Sequence, residues 1–286
     1  MLPRSTGQPF SMVISPAGEV LQQVGFKRRI GQGSRDVMRA LHIIHLDLKQ
    51  QVFGLTLGHL WLLLEPALMA LAYYFLLTFV FRMQGADTTF ANFLVAIIFW
   101  RSHAMLITSA PSFLSSKGYQ YIDQGFGLNI AFLEFAIQEL VLFAVRFLIL
   151  LCFLVVAGYS PHISWLAGLF IAACMFCFTL ALSIWLAIVG MFLKDIGKLV
   201  GHFVWLWWYL SPGLYSFGRI PEWAQPIFAI NPFAYVLPAA HSALLSYVFS
   251  YEHFLSNLLL AAISLVFMAL GWRVIKRLGY IVPHYV

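Results

Sequence analysis

Charge is what this sequence has least of. Asp, Glu, Lys and Arg make up only 10% of its 286 residues, whereas 62% are hydrophobic; the mean hydropathy is +0.86. A soluble domain carries about 25% charged and about 45–50% apolar residues. That deficit excludes an ordinary water-covered globular core. Cysteine is scarce too: Cys152, Cys174 and Cys177 all fall inside apolar runs. An extracellular disulfide framework would place an even set in polar loops. No secretory h-region stands at the amino terminus either. Residues 1–33 are rich in Pro, Ser, Gly and Gln, and their one apolar patch, Met12 to Ile14, is too short for one. The segment reads as a mobile cytoplasmic tail.

Phosphate-binding machinery is also missing. A P-loop needs Gly-x-x-x-x-Gly-Lys-Ser/Thr, whose backbone amides cradle phosphate. Gly197-Lys198 is followed by Leu199, and Gly190 stands at the wrong spacing. The chain is therefore expected to hold no cofactor and to be no enzyme; if ATP drives its work, ATP and Mg would be bound by a separate polypeptide. No metal site is expected. Cys174 and Cys177 have the spacing of a metal or redox pair, but they sit mid-span and read as small residues in helix packing. His42 and His45, one turn apart without a carboxylate, read as interfacial.

Long apolar runs are abundant. A bilayer crossing needs roughly 20 predominantly apolar residues, and six stretches qualify: about 58–81, 90–114, 131–157, 163–192, 199–217 and 254–272. The fold class is thus all-α, a polytopic membrane protein with six transmembrane helices. Before the first span, 34–53 has Val37, Leu41, Ile44 and Leu48 at helical spacing and charges on other faces, with Ser34 as N-cap and Gly54 as stop. It reads as an amphipathic helix at the membrane surface or against a partner. Between the last two spans, Pro221, Pro226, Pro232 and Pro238 break an apolar stretch into short re-entrant or interfacial periplasmic helices. The resulting organisation is a tail (1–33), an amphipathic interface helix (34–53), a transmembrane domain (54–277) and a carboxy-terminal cytoplasmic tail (278–286).

The net charge of +6 follows this layout. Arg4, Lys27, Arg28, Arg29, Arg35, Arg39, Lys49, Lys117, Lys194, Lys198, Arg273, Lys276 and Arg277 fall on one side of a six-span arrangement, and only Arg82 and Arg219 on the other. The positive-inside rule then puts both termini in the cytoplasm. The basicity is explained without nucleic acid.

Ionisable residues at membrane depth are costly and tend to mark function. Glu65, Arg101, His103, Glu134, Glu139 and Arg146 lie within the spans. Arg101 and His103 are too central to reach the interface and should face protein or a water-filled path. Glu134 and Glu139 stand near the cytoplasmic end and read as interfacial. Aromatic residues crowd the fifth span (Trp205, Trp207, Trp208, Tyr209), with Tyr73, Tyr74 and Trp100 in earlier ones. They suit either a lipid-facing belt or the lining of a path for sugars, whose apolar faces stack on rings. These nine residues, Tyr73, Tyr74, Trp100, Arg101, His103, Trp205, Trp207, Trp208 and Tyr209, are the candidates for a substrate path.

The first span opens Gly58-His59-Leu60-Trp61-Leu62-Leu63-Leu64-Glu65-Pro66, and the second half carries Ser211-Pro212, Ile220-Pro221 and Asn231-Pro232. Their order, after an amphipathic helix, resembles the ABC-2 type transporter permeases, particularly those exporting capsular polysaccharide and O-antigen. Gly58, Trp61, Glu65, Pro66, Asn231 and Pro232 carry the resemblance. It implies a bacterial inner (plasma) membrane location, a homodimer, two copies of a separate ABC-type ATPase, surrounding membrane lipids and a lipid-linked glycan substrate. It also implies ATPase contacts through the amphipathic helix and the Lys117 to Asn129 connection, with Arg39, Lys49, Tyr119, Tyr121 and Asp123 as candidates. Here the sequence departs from the family's basic cluster before Gly58, since only Lys49 is close and Gln50-Gln51 follow it. A drug or small-lipid permease of the same architecture is the alternative, and a membrane-embedded glycan- or lipid-processing enzyme a more distant one. Such an enzyme needs paired loop carboxylates to hold metal and phosphate, which the loops lack.

Overall fold

The computed structural model describes residues 11–14, 20–23, 60–82, 89–123, 127–213, 215 and 220–281. The expected amphipathic helix, with Arg39 and Lys49, lies outside them, as does Gly58. The chain divides into a unit of residues 1–40 and one of residues 41–286. In the first, β1 (Ser11–Ile14) pairs antiparallel with β2 (Val20–Gln23), Ser11 opposite Gln23 and Ile14 opposite Val20. The sequence reading had only a tail here. Among the described residues of the second unit the regular structure is helical, and the strand pair belongs to the first.

The second unit consists of α1 (Leu60–Phe75, prolonged by a π-helical turn, Leu76–Val80), α2 (Phe90–Asp123), α3 (Leu128–Val156), α4 (Ser164–Phe192), α5 (Ile196–Tyr209), α6 (Gln225–Ala229), α7 (Phe233–Leu245) and α8 (Tyr251–Ile281). Four of these, α2, α3, α4 and α8, are each long and apolar enough to cross a membrane. Of the six expected spans, the fifth comes out shorter: α5 ends at Tyr209 rather than near 217. At 1.5 Å per residue, 14 residues reach only about 21 Å. The expected Lys117 to Asn129 connection is largely helix: α2 continues to Asp123, leaving 124–127 before α3. The prolines of 218–251 do interrupt the chain, producing the short α6 and α7, with Pro226 in the first turn of α6 and Pro232 at the α7 N-cap. Both positions suit a residue with no N–H to donate.

Local chemistry fixes the ends and crossings. Helix α3 stops where Gly158 takes φ +94°. Tyr159 N–H donates to Leu154 O (2.9 Å) and Gly158 N–H to Val155 O (3.1 Å), the paired bonds of a Schellman cap. Within α2, Ser102, Thr108, Ser109 and Ser116 donate their hydroxyls to carbonyls four residues back, at 2.7–2.9 Å. Those bonds let a polar-rich helix sit among apolar neighbours. Helix α4 packs most extensively on α2 and α8. A Cβ on its Gly190 would overlap the Pro111 carbonyl of α2, and on Gly271 of α8 it would meet Ile184 Cγ2 at 2.5 Å. Small residues thus permit the close backbone approach typical of membrane helix pairs. Trp165 Nε1 donates to Leu244 O (3.1 Å) and Trp185 Nε1 to Phe267 O (3.2 Å), pinning α4 to α7 and to α8.

Candidate functional site

Three helices, α1, α2 and α5, border a groove of about 360 Å³. Helical spacing builds each wall. Met69 and Tyr73 come from α1; Ile97, Trp100, Arg101, Ala104, Met105 and Thr108 from α2; Gly201, Val204, Trp205 and Trp208 from α5. Positions three, four and seven apart share one face of a helix, so each helix presents one stripe. Across the groove, Arg101 forms an ion pair with Glu65 of α1, and both side chains stay about 40% exposed. A charge pair open to a cavity inside otherwise apolar helices is the electrostatic centre of the region.

Behind this pair lies an aromatic cluster. Trp100 packs against Phe233 (centroids 4.6 Å apart), Trp208 (5.4 Å) and Trp207 (5.9 Å). Trp208 Nε1 donates to the Tyr73 hydroxyl at 3.0 Å, with the rings 6.0 Å apart. Buried indole N–H groups need such acceptors. The wall is therefore a bonded aromatic surface, able to stack on the apolar face of a ring or to flank an acyl chain.

Of the nine path candidates, Tyr73, Trp100, Arg101, Trp205 and Trp208 border the groove. The other four do not. Tyr74 packs edge-on to Phe79 and Phe90. Tyr209, half exposed, packs edge-on to Trp205. Trp207 turns back to Asn231. His103 is fully buried between α2 and α4, its Nδ1 3.2 Å from Thr179 Oγ1. Thr179 Oγ1 also lies within hydrogen-bond distance of the Met175 and Phe176 carbonyls, so the histidine is tied to the backbone of α4.

Two of the motif residues, Asn231 and Pro66, are buried. Asn231 accepts from Trp207 Nε1 (2.9 Å) and Phe233 N–H (3.0 Å) through Oδ1, while its Nδ2 donates to Leu210 O and Ser211 Oγ, both at 3.0 Å. One buried amide thus joins the end of α5 to the start of α7. Pro66 is buried inside α1, one residue past Glu65, and Trp61 is exposed. At the other end of α2, Tyr121 is buried and donates to the Glu134 carboxylate, with Lys117 Nζ 4.0 Å from that same carboxylate. Glu134, expected at an interface, is fully buried. Tyr119 and Asp123 belong to the last turns of α2.

Residues absent from the path candidates also matter. Met69, Met105, Thr108, Gly201 and Val204 line the groove, and their signal was their helical register with Tyr73, Arg101 and Trp208. Arg146 and Glu139 of α3 are the other members of the charged region. Arg146 interacts electrostatically with Glu139, Glu65 and Arg101.

Comparison with known proteins settles the family. Residues 41–245 match the ABC-2 type transporter family. The chain belongs to that family. It is 30% identical over 215 residues to an O-antigen export system permease protein, RfbA, of Klebsiella pneumoniae, an alignment covering 74% of this chain and 82% of the relative. A second Klebsiella pneumoniae RfbA is 29% identical over 83% of this chain and 91% of its own length. The RfbA of Myxococcus xanthus is 26% identical over 80% and 87%. A transport subunit in a membrane, rather than an enzyme, follows from this ABC-2 membership.

Proposed function

We propose that this chain is the membrane-spanning subunit of an exporter for O-antigen-type polysaccharide. Two copies form the path, and a separate ABC-type ATPase binds ATP and Mg and drives the movement of a lipid-linked glycan out of the cytoplasm. The observation that carries the reading is the groove between α1, α2 and α5. It combines a half-exposed Arg101–Glu65 pair with Tyr73, Trp100, Trp205 and Trp208. Lipid solvates such a pair poorly, because ionised side chains at bilayer depth are expensive even when paired. A second copy of the chain covers this face and keeps it wet, and the aromatic walls give sugar rings a surface to slide along. The named relatives, aligned over most of this chain, support the substrate class.

In this reading α1 and α5, extended by their flanking residues, complete six spans in the inner membrane, and both termini are cytoplasmic. Helices α6 and α7 are the short periplasmic pieces. The 34–53 segment (Arg39, Lys49) and the cytoplasmic end of α2 (Tyr119, Asp123) meet the ATPase. Tyr121, held on Glu134, stiffens that end instead of touching the partner. Motion of the ATPase then reaches the groove along α2, which carries Trp100 and Arg101 on the same rigid helix. Deleting the gene tests the proposal: surface polysaccharide should disappear while lipid-linked glycan accumulates inside, and the intact gene should restore export. Normal surface polysaccharide in the deletion strain would overturn it.

A further inference from the structure

The charged region holds more donor capacity than its own chain uses. Arg101 turns its Nη2 to Glu65, yet its Nε is buried without a hydrogen-bond partner, as is Nη1 of Arg146. Among the described residues Arg146 has no ion pair, and its hydrogen-bond partner is Met105 Sδ at 3.4 Å. A thioether is a weak acceptor. Met105 itself lines the groove, one helical turn from Arg101. The Arg146 head therefore stands directly behind the groove wall, separated from the opening by a flexible side chain. Glu139, two turns before Arg146 on α3, offsets part of its charge but makes no ion pair with it among the described residues, and its Oε2 is without a partner.

A purely structural ion pair accounts poorly for this arrangement, since a pair left about 40% exposed adds little stability by itself. A guanidinium fork lining an aromatic-walled groove, with a second held behind Met105 of its wall, matches a ligand with several oxygens on one charged centre. Arginine's planar fork pairs bidentately with phosphate, and Tyr73, Trp100 and Trp208 offer the apolar surface for what the phosphate is attached to. We propose that Arg101, backed by Arg146, forms a subsite for a phosphate-type oxyanion carried on an amphiphile, and that Glu65 is the internal counter-ion which this oxyanion displaces. Binding exchanges one pair for another: the Glu65 carboxylate leaves Arg101, the oxyanion takes its place, and Met105 swings aside to admit Arg146. Only the source of the ligand, a lipid-linked glycan, rests on the exporter reading.

The sign of the effect at Glu65 separates this role from a structural one. The test is calorimetric titration of the complex with its ATPase, held in phosphatidylcholine nanodiscs, with farnesyl pyrophosphate, inorganic pyrophosphate and farnesol. Farnesyl pyrophosphate should bind the wild type, and Arg101→Gln should weaken it at least about tenfold, as for loss of a buried charge partner. Arg101→Lys should recover part of that loss, which rules out misfolding as the cause. Glu65→Gln should tighten binding about threefold or more, because removing an internal competitor raises the competent fraction. Farnesol should bind weakly and equally to all variants. Inorganic pyrophosphate with the same affinity and variant dependence would keep the oxyanion subsite but assign its ligand to free phosphate. Unchanged binding in Arg101→Gln, weaker binding in Glu65→Gln, or equal affinity for farnesol and its pyrophosphate would overturn the proposal. The deletion phenotype would remain untouched by any of those results, so the two readings fail separately.

Discussion

Helices α2 and α8 are nearly equal in length, 34 and 31 residues, and lie at opposite extremes of burial. In α2, 78% of the most apolar stretch is buried within the chain; in α8 the share is 17%. The buried helix is nevertheless the less apolar of the two. In water that relation would be reversed, because apolar burial drives folding there. In a bilayer, lipid solvates Leu259, Ile263 and Val266 of α8 as well as protein does, whereas Arg101, Ser102 and His103 of α2 must be hidden from it. Polarity therefore marks the inside of this fold, and the candidate groove opens on its buried polar helix, α2.

Substitutions that probe this contrast should fall in a definite order. Phe233→Ala should cost most, about 3–5 kcal/mol. Phe233 is fully buried against Trp100, Trp207 and His103, so its loss leaves a cavity beneath the groove wall. Reversible unfolding in mixed micelles measures it. Asn231→Ala should cost about 2 kcal/mol, since it strands Trp207 Nε1 without its acceptor. Asn231→Asp should recover part of this, because its oxygens can still accept from Trp207 and Phe233. Gly190→Ala should destabilise by about 1–2 kcal/mol by forcing α4 away from the Pro111 carbonyl, read by the same unfolding assay. Leu259→Ala, on the exposed face of α8, should change stability by less than about 0.5 kcal/mol. A large loss at Leu259 would break the comparison, because it would make α8 a packed helix rather than a lipid-facing one.

Much of this was legible in the residues alone. Apolar run length located α3 and α4 to within a few residues, and the starts of α2 and α8, since bilayer thickness is a strong constraint; the latter two helices run past their expected ends, to Asp123 and Ile281. The end of α2 was missed because Ser115, Ser116 and Lys117 look like a loop by hydropathy. In the fold, Ser115 and Ser116 donate to backbone carbonyls within the helix and Lys117 approaches Glu134, so the helix continues. The hairpin at Ser11–Ile14 was hidden by the polar composition around it. At the site, residue type picked out Arg101 and the aromatic run, but type cannot say which side of a helix a ring faces. Tyr73 and Tyr74 show why: neighbours in sequence, they point about 100° apart on a helix, one to the groove and one to Phe79 and Phe90. The Glu65–Arg101 pair joins residues 36 positions apart, beyond the reach of any local pattern.

Thiol labelling tests most directly whether the face between α1, α2 and α5 encloses water. The assembled complex, in membranes and with the three native cysteines replaced by alanine, would carry either Thr108→Cys in the groove or Leu259→Cys on α8. A water-soluble maleimide should label the Thr108→Cys protein and leave the Leu259→Cys protein unmodified. Labelling at Leu259→Cys with none at Thr108→Cys would place water on the wrong face and contradict the account.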